Sequence, residues 1–549
     1  ELRRLMPQEF WREVVDRVAA EVPDTLLLAE AFWLMEGYFV RTLGMHRVYN
    51  SAFMHMLRDE KNAEYQQVIR ETVSFDARIL GRYVNFMNNP DERSAVDQFG
   101  SDDKYFGVAT LLATLPGLPM FGHGQFEGYS EQYGMEFRRP QRDEHPNQWL
   151  VDRHRREISP LLHERWRFSG AAGFRQLTAL EGGGATSDVF AYANSAEQAP
   201  RGAMERRSLV VYLNRYPRAH VRIPGVAEAL ALGHDPEDFV ILHDHRSGLD
   251  YLRQSRDLQQ NGLELSLDGY GCHVFLAFEE VSDAGGVGWA DLAHQLGLAG
   301  VPDAHAALRR MRDAPVREAV SAVFATRVAE EAFLPELSAD PDTEAGADAA
   351  RSSLTTAFDR LASVVDADGD TVSFAYDVAR LAARVRSVRP RLLAQALAGW
   401  TIFSAIGDLA CEGDRDRVAA AFDEWDGAAA VGDLARRAGT GDAQAWRAAE
   451  LARALLVLEP GALVEAADEP GLPRAWFEAQ AVRTAPGWNE WQGHTYLSAE
   501  AWDEFVDSVA EREMLLELSG ASNAASELRR RAAEAGYRLD LDGDGTSDR

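Results

Sequence analysis

Two acidic residues, Glu30 and Asp91, follow apolar segments that are typical of buried strands. Glu30 ends the run TLLLAE at 25–30, and Asp91 closes the run NFMNNPD at 85–91. The carboxyl ends of parallel strands meet on one face of a β/α barrel, so the two side chains are expected to share a cleft. Glycoside hydrolysis needs a carboxylic acid that protonates the leaving group and negative charge beside the developing oxocarbenium ion. The pair therefore predicts a sugar-cleaving site, unless Glu30 caps a helix or pairs with an arginine. Glu36 competes with it as the acid.

Six further side chains near the same strand ends are candidates for contacts with a sugar. They are Trp33, Tyr49, Asn50, Asn88, Asn89 and His123. Aromatic rings have large apolar faces that suit sugar rings, and for Trp33 and Tyr49 the competing interpretation is packing in the core. For His123 the alternative is a buried, hydrogen-bonded histidine.

The first 165 residues alternate between strand-like and helical patterns. Strands are predicted at 25–29, 47–53, 83–87 and 118–121, with helices at about 60–71 and 105–114. The first strand is expected to be buried on both faces, as in a parallel sheet covered by helices. Four strand–helix units predict half of an eight-fold barrel, so residues 1–165 are expected to form a partial (β/α)8 TIM barrel.

The rest of the chain predicts a multidomain protein. Residues 166–282 consist of short alternating strands separated by polar turns, which predicts an antiparallel β-sandwich. Residues 283–535 are rich in Ala, Leu and Arg and predict an all-α domain, and residues 536–549 form an acidic tail. Within the tail, the spacing D-x-D-x-D-G-x-x-D is similar to the start of a calcium loop, and a disordered tail is the alternative. The candidate calcium ligands are Asp540, Asp542, Asp544 and Asp548.

Three segments, taken in order, resemble the last half of the catalytic barrel of the α-amylase superfamily, glycoside hydrolase family 13. The segments are LLLAEAFW, NFMNNPDE and GLPMFGHGQFEGYSE. The resemblance implies that Glu30 is the general acid/base and that Asp91 binds sugar hydroxyls and stabilises the transition state. It also implies a turn after the last strand of the barrel, a β-sandwich after the barrel, and an α-glucan or maltooligosaccharide as substrate. The residues that match the turn are Gly117, Pro119, Gly122, Gly124 and Gln125.

Two departures from the family pattern change what the resemblance implies. Pro90 stands where the family usually has a histidine, and proline has no N–H to donate, so Asn88 or Asn89 would have to contact the sugar there. The nucleophilic aspartate, in a G-x-R-x-D-like segment, has no counterpart. A retaining enzyme needs that nucleophile, so we expect this polypeptide alone to have little or no activity. The expected partner is the N-terminal half of the barrel, and the expected chain is an N-terminally truncated fragment. The alternative is a non-catalytic sugar- or partner-binding protein built on a barrel remnant.

Composition narrows the classes of partner. The 549-residue chain carries a formal net charge of −30, which argues against nucleic acid and anionic membranes as partners. No run of 18 apolar residues occurs, so no membrane span is expected. The two cysteines, Cys272 and Cys411, predict no disulfide framework. No cofactor is expected to be required, and a cytoplasmic location is expected.

Overall fold

The computed structural model divides the chain into two compact units, Glu1–Leu308 and Arg309–Arg549. The residues whose structure is described are 9–30, 35–132, 139–196, 205–233, 235–333, 344–491 and 494–539. The four candidate calcium ligands at 540–548 and Trp33 lie outside these ranges.

The first unit begins with a four-stranded parallel sheet. Its strands are β1 (Leu28–Ala29), β2 (Arg47–Asn50), β3 (Tyr83–Phe86) and β4 (Leu118–Met120), and they lie side by side in chain order. In the register of the sheet, Leu28 is opposite Arg47, and Asn50 is opposite Asn85. Within the described residues no further strand pairs with β1 or β4, so the sheet has two open edges.

Helices connect these strands and cover one face of the sheet. Their bounds are Phe10–Glu21, Glu36–Arg41, Ser51–Arg58, Asn62–Asp76, Ala95–Phe99, Asp103–Thr114, Gln148–Arg153 and Ser159–His163. Two of them, Asn62–Asp76 and Asp103–Thr114, correspond to the helices predicted at about 60–71 and 105–114. The second predicted strand is shorter than expected, because its last three residues belong to the helix that begins at Ser51.

The face of the parallel sheet opposite the helices is apolar and partly open. Leu28 in β1 is 41% exposed and Leu118 in β4 is 43% exposed, whereas Ala29 and Val48 on the helix side are buried. The expectation that the first strand is buried on both faces is therefore wrong. β1 has a strand neighbour on one edge only, and no described helix covers its other face.

The second part of the first unit is one continuous antiparallel sheet of eight strands, rather than two separate sheets. The strands, in spatial order, are β10 (Leu249–Gln254), β9 (Asp238–Asp244), β12 (Cys272–Ser282), β7 (Arg207–Leu213), β6 (Gly184–Ser195), β5 (Arg175–Glu181), β8 (Ala219–Ile223) and β11 (Leu263–Leu267). Val240 and Leu242 near one end share a hydrophobic cluster with Leu263 and Leu265 at the other end. The sheet therefore curls around its own core.

The opposite face of this curled sheet packs against the helices of the parallel sheet. Phe190, Val210 and Tyr212 belong to the same hydrophobic cluster as Phe106. Gly107 allows this contact, because a Cβ atom there would lie 1.9 Å from the ring of Tyr212. The two sheets of the first unit are therefore joined by a continuous core.

The second unit is mainly helical. Its helices are Ala314–Phe324, Arg327–Phe333, Glu344–Val365, Thr371–Val385, Arg391–Cys411, Arg415–Glu424, Gly427–Arg437, Asp442–Val457, Ala462–Asp468, Gln480–Thr484, Ala499–Leu515 and Ala521–Glu534. The sequence did not predict its small antiparallel sheet of β13 (Asn489–Trp491), β14 (His494–Tyr496) and β15 (Arg538–Leu539). The boundary at Leu308 places the helix Trp289–Leu296 in the first unit, although its composition suggested the helical region.

One described helix, Arg391–Cys411, is long and apolar enough to cross a membrane, although its sequence is not an uninterrupted apolar run. Of its most apolar window, 83% is buried inside the protein. Such burial is typical of a core helix, and the helix packs within the hydrophobic cluster of the second unit.

Candidate functional site

Tyr49 in β2 lies at the centre of the candidate site. Its ring is half-buried and meets the ring of Phe86 edge-on, with a centroid distance of 5.5 Å. Burial raises the pKa of the Tyr49 hydroxyl, and the negative charges of Glu30 and Asp91 raise it further. Both carboxylates therefore lie within electrostatic range of one hydroxyl group. The reason is topological, because β1 and β3 flank β2 and the two acids follow the carboxyl ends of the flanking strands.

Glu30 directly follows β1 and is exposed. Its position at the strand end is the one that the sequence predicts. Its side chain is open to water, as is that of the neighbouring Leu28.

Asp91 is held by a tight turn after β3. The side-chain oxygen of Asn89 accepts a hydrogen bond of 3.0 Å from the backbone N–H of Asp91. The side chain of Gln132 donates a hydrogen bond of 3.1 Å to the Asp91 carbonyl oxygen. These bonds fix the backbone and leave the Asp91 carboxylate exposed. The role of Gln132 was missed from sequence, because it lies 41 residues away and in no motif.

Asn88, Asn89 and His123 line a small crevice of about 30 Å³ next to Asp91, together with Glu131 and Gln132. Asn88 is 5% exposed and lies directly against Gly122, where a Cβ atom would come within 2.4 Å of the Asn88 amide. The Oδ1 atom of Asn88 is buried and has no hydrogen-bond partner. His123 is exposed, so the interpretation as a buried histidine is wrong. These three candidates therefore meet beside Asp91.

Asn50 and Glu36 belong to the other side of the sheet. Successive residues of a strand point to opposite faces, so Asn50 cannot share the orientation of Tyr49. The buried Asn50 side chain donates a hydrogen bond of 2.8 Å to Asn85 on the helix side. Burial raises the pKa of Glu36, and its negative charge raises the pKa of Tyr83. Neither residue joins the group around Tyr49, and the alternation of side chains along β2 could have revealed this for Asn50.

Glu30 and Asp91 are exposed acidic residues that follow the two strands flanking β2. Their charges both raise the pKa of the Tyr49 hydroxyl. Among the described residues no group of three or more histidine, cysteine, aspartate or glutamate side chains is arranged to hold a metal ion.

Comparison with solved structures finds glycoside hydrolases of the α-amylase type. A debranching enzyme from Nostoc punctiforme, in an acarbose-soaked crystal, is 17% identical with a TM-score of 0.37 over 50% of this chain and 55% of its own. An Anoxybacillus α-amylase is 16% identical with a TM-score of 0.36 over 49% of this chain and 55% of its own. A cyclic α-maltosyl-(1→6)-maltose hydrolase from Arthrobacter globiformis is 18% identical with a TM-score of 0.33 over 50% of this chain and 53% of its own. The chain thus spans about half the length of these structures, and no family model and no curated protein matches it.

Proposed function

We propose that this chain carries part of the catalytic barrel of an α-amylase-type enzyme that cleaves or transfers α-glucosidic bonds by a retaining mechanism. The observation that carries the proposal is the placement of Glu30 and Asp91 after the two strands that flank β2, where the charges of both raise the pKa of the Tyr49 hydroxyl. The three ordered sequence motifs support the same assignment, and they are the reason for choosing α-glucans as the substrate class.

In the proposed mechanism Glu30 protonates the glycosidic oxygen as the leaving group departs, and then deprotonates the incoming water or sugar hydroxyl. Asp91 stabilises the positive charge that develops on the sugar ring. The neutral Tyr49 hydroxyl donates a hydrogen bond to a sugar oxygen or to one of the carboxylates. Asn88, Asn89 and His123 bind the hydroxyl groups of the same sugar, because Pro90 has no N–H or side-chain donor with which to do so.

The nucleophile is proposed to come from a second set of parallel strands that completes the barrel. Two features support this proposal. The open face of the sheet displays Leu28 and Leu118, which water contacts at present, and β1 and β4 have free edges in the described part of the chain. Burying these side chains and pairing these edges would stabilise the complex. It would also cover Glu30, whose side chain is exposed in the described structure.

The alternative proposal is a non-catalytic sugar-binding protein. The observation that favours it is that no segment of the sequence matches the G-x-R-x-D-like nucleophile motif. Both proposals place a glucan beside Glu30 and Asp91, and they differ in whether any chain supplies the nucleophile.

Calorimetric titration with maltoheptaose, together with an assay of reducing ends, tests the two proposals. We expect the chain alone to bind the sugar and to release no reducing ends. Glu30→Gln and Asp91→Asn should each weaken binding, whereas Glu237→Gln, in the exposed turn before β9, should not. Co-expression with the upstream coding region should then restore cleavage if the enzyme proposal holds. Sugar binding without cleavage in that longer protein would support the binding protein, and a chain that binds no maltoheptaose would contradict both.

A further inference from the structure

A basic cleft lies at the opposite, amino-terminal edge of the parallel sheet. It has a volume of about 610 Å³ and is lined by the loop before β1, the start of β2 and the turn before β3. Its charged lining consists of Arg47, Arg78 and Arg82 with one aspartate, Asp24. Because the sheet separates this cleft from the carboxyl ends of the strands, it is distinct from the candidate sugar site.

The arginine side chains that line this cleft form few ion pairs, which is unusual in so acidic a protein. Acidic residues outnumber Lys and Arg by 30 in the whole chain, yet Arg47 and Arg82 make no ion pair with any described carboxylate. Arg78 alone is paired, with Asp76 at 2.9 Å. The charge of Arg82 also lowers the pKa of Asp76, so Arg78 and Arg82 share one carboxylate, and with Asp24 the nearby acidic groups are fewer than the three arginines. This local excess of positive charge would attract an anion.

The two unpaired arginines are held in place by backbone contacts. Arg47 donates a short hydrogen bond to the carbonyl oxygen of Gly81, and Arg82 donates one of 3.3 Å to that of Met45. Each guanidinium has five N–H groups, so most of the donors of both remain unassigned. These hydrogen bonds hold both guanidinium groups across the gap between β2 and β3. Their remaining N–H groups are available to a ligand.

Two further side chains, His46 and Arg165, add hydrogen-bond donors near these arginines. The Nδ1 atom of His46 accepts a hydrogen bond of 3.0 Å from the backbone N–H of Leu27, so the Nε2 atom carries the proton and is a donor. Behind the cleft, Arg165 donates to the carbonyl oxygens of Ala113 and Gly117, and its Nε atom is buried without a partner. Burial and, to a smaller extent, the charge of Arg47 lower the pKa of Arg165 to about 10.

The far wall of the cleft is made of small residues. Gly170, Ala171 and Ala172 line it, and a Cβ atom at Gly170 would contact nothing within 4 Å. The wall therefore leaves room for the body of a ligand beyond its charged group. A cleft of this size accommodates a small organic molecule rather than only a single ion.

We propose that this cleft binds a small organic phosphate, with the phosphate group held by Arg47, Arg82 and the Nε2–H of His46. Arginine forks match the oxygens of phosphate in pairs, and a phosphate monoester is close to a dianion at neutral pH. The site is independent of the proposed glucan chemistry, and failure of either proposal leaves the other standing.

Calorimetric titration of the full chain with glycerol 2-phosphate at fixed ionic strength tests the proposal. Glycerol serves as the neutral comparison and inorganic phosphate as the comparison without an organic body. We expect the ester to bind at least as tightly as inorganic phosphate and glycerol not to bind. Binding of inorganic phosphate with exclusion of the ester would overturn the choice of an organic phosphate, and absence of binding by either anion would overturn the site.

Two sets of variants test whether the phosphate ester binds in this cleft. Replacing Arg47 and Arg82 together by Gln should weaken ester binding by about tenfold or more, while Arg218→Gln, at an exposed ion pair of the curled sheet, should leave it unchanged. Because Arg47 and Arg82 also brace the backbone, Ala172→Glu and Ala172→Gln provide a second test at an exposed position. The glutamate adds repulsion and should weaken binding by about tenfold, and the glutamine of equal size should change it by less than about threefold. Equal affinities for these two variants would contradict the assignment.

Discussion

The strongest stability prediction concerns a pair of buried asparagines that joins the two sheets of the first unit. Asn214, after β7, donates hydrogen bonds to the Leu57 carbonyl oxygen at 3.0 Å and to Asn62 Oδ1 at 2.7 Å, and it accepts one from the Tyr212 hydroxyl at 3.0 Å. Asn62 in turn donates to the Asn214 carbonyl oxygen at 3.0 Å and to Asp188 at 3.1 Å. Both side chains are at most 2% exposed.

The expected decrease in the free energy of unfolding follows from counting these hydrogen bonds. Asn214→Ala removes three hydrogen bonds and leaves their partners buried, which at about 1 kcal/mol each predicts a loss of about 3 kcal/mol. Asn62→Ala also removes three bonds and predicts a similar loss. One bond is common to both counts, so the double variant should lose about 5 kcal/mol rather than 6, a coupling of about 1 kcal/mol.

Hydrogen exchange of the β7 amides, measured by mass spectrometry on the full chain, reports the opening free energy of this unit without unfolding the helical unit. Asn261→Ala is the control, because its side chain bonds Asp257 within one turn of an exposed helix end. The reasoning is refuted if Asn214→Ala changes the opening free energy by no more than the control. Strict additivity in the double variant would refute the direct bond between the two asparagines.

Two further predictions concern titrating groups. Glu30→Gln and Asp91→Asn should each lower the pKa of the Tyr49 hydroxyl, because each removes a negative charge that raises it, and the titration of labelled tyrosine followed by NMR checks this. A Tyr49 pKa that neither variant changes would show that the carboxylates do not meet there. Burial lowers the pKa of His154 from its ordinary value of 6.5 to about 4, so the unfolded chain binds the extra proton between these values. The free energy of unfolding should therefore fall by about 3 kcal/mol as the pH drops from 6.5 to about 4, and thermal unfolding of His154→Phe should lack this part of the pH dependence.

The parallel part of the fold was predictable because it depends on local patterns. Strand and helix periods are written in consecutive residues, so the four strands and the two long helices were placed to within a few positions. The same patterns located Glu30 and Asp91 at strand ends. They gave too long a second strand, since the run RVYNSAF is apolar enough for either a strand or the helix that begins at Ser51.

Which neighbours bury a given strand or helix could not be predicted from the sequence of that element alone. A run of leucines predicts burial, yet burial needs a neighbour, and Leu28 has none on the open face among the described elements. The eight antiparallel strands were likewise recognised one by one, while their joining into one curled sheet depends on pairings between distant strands.

By itself, the sequence determined the order of strands and helices and the placement of two acids after parallel strands, because these follow from spacing along the chain. Only the tertiary structure decided that the charges of both acids act on Tyr49, and that Arg47 and Arg82 line one cleft without an ion pair among the described residues. The physical reason is that electrostatic and hydrogen-bonding partners are chosen by distance in space, and residues dozens of positions apart are brought together only when the sheet forms.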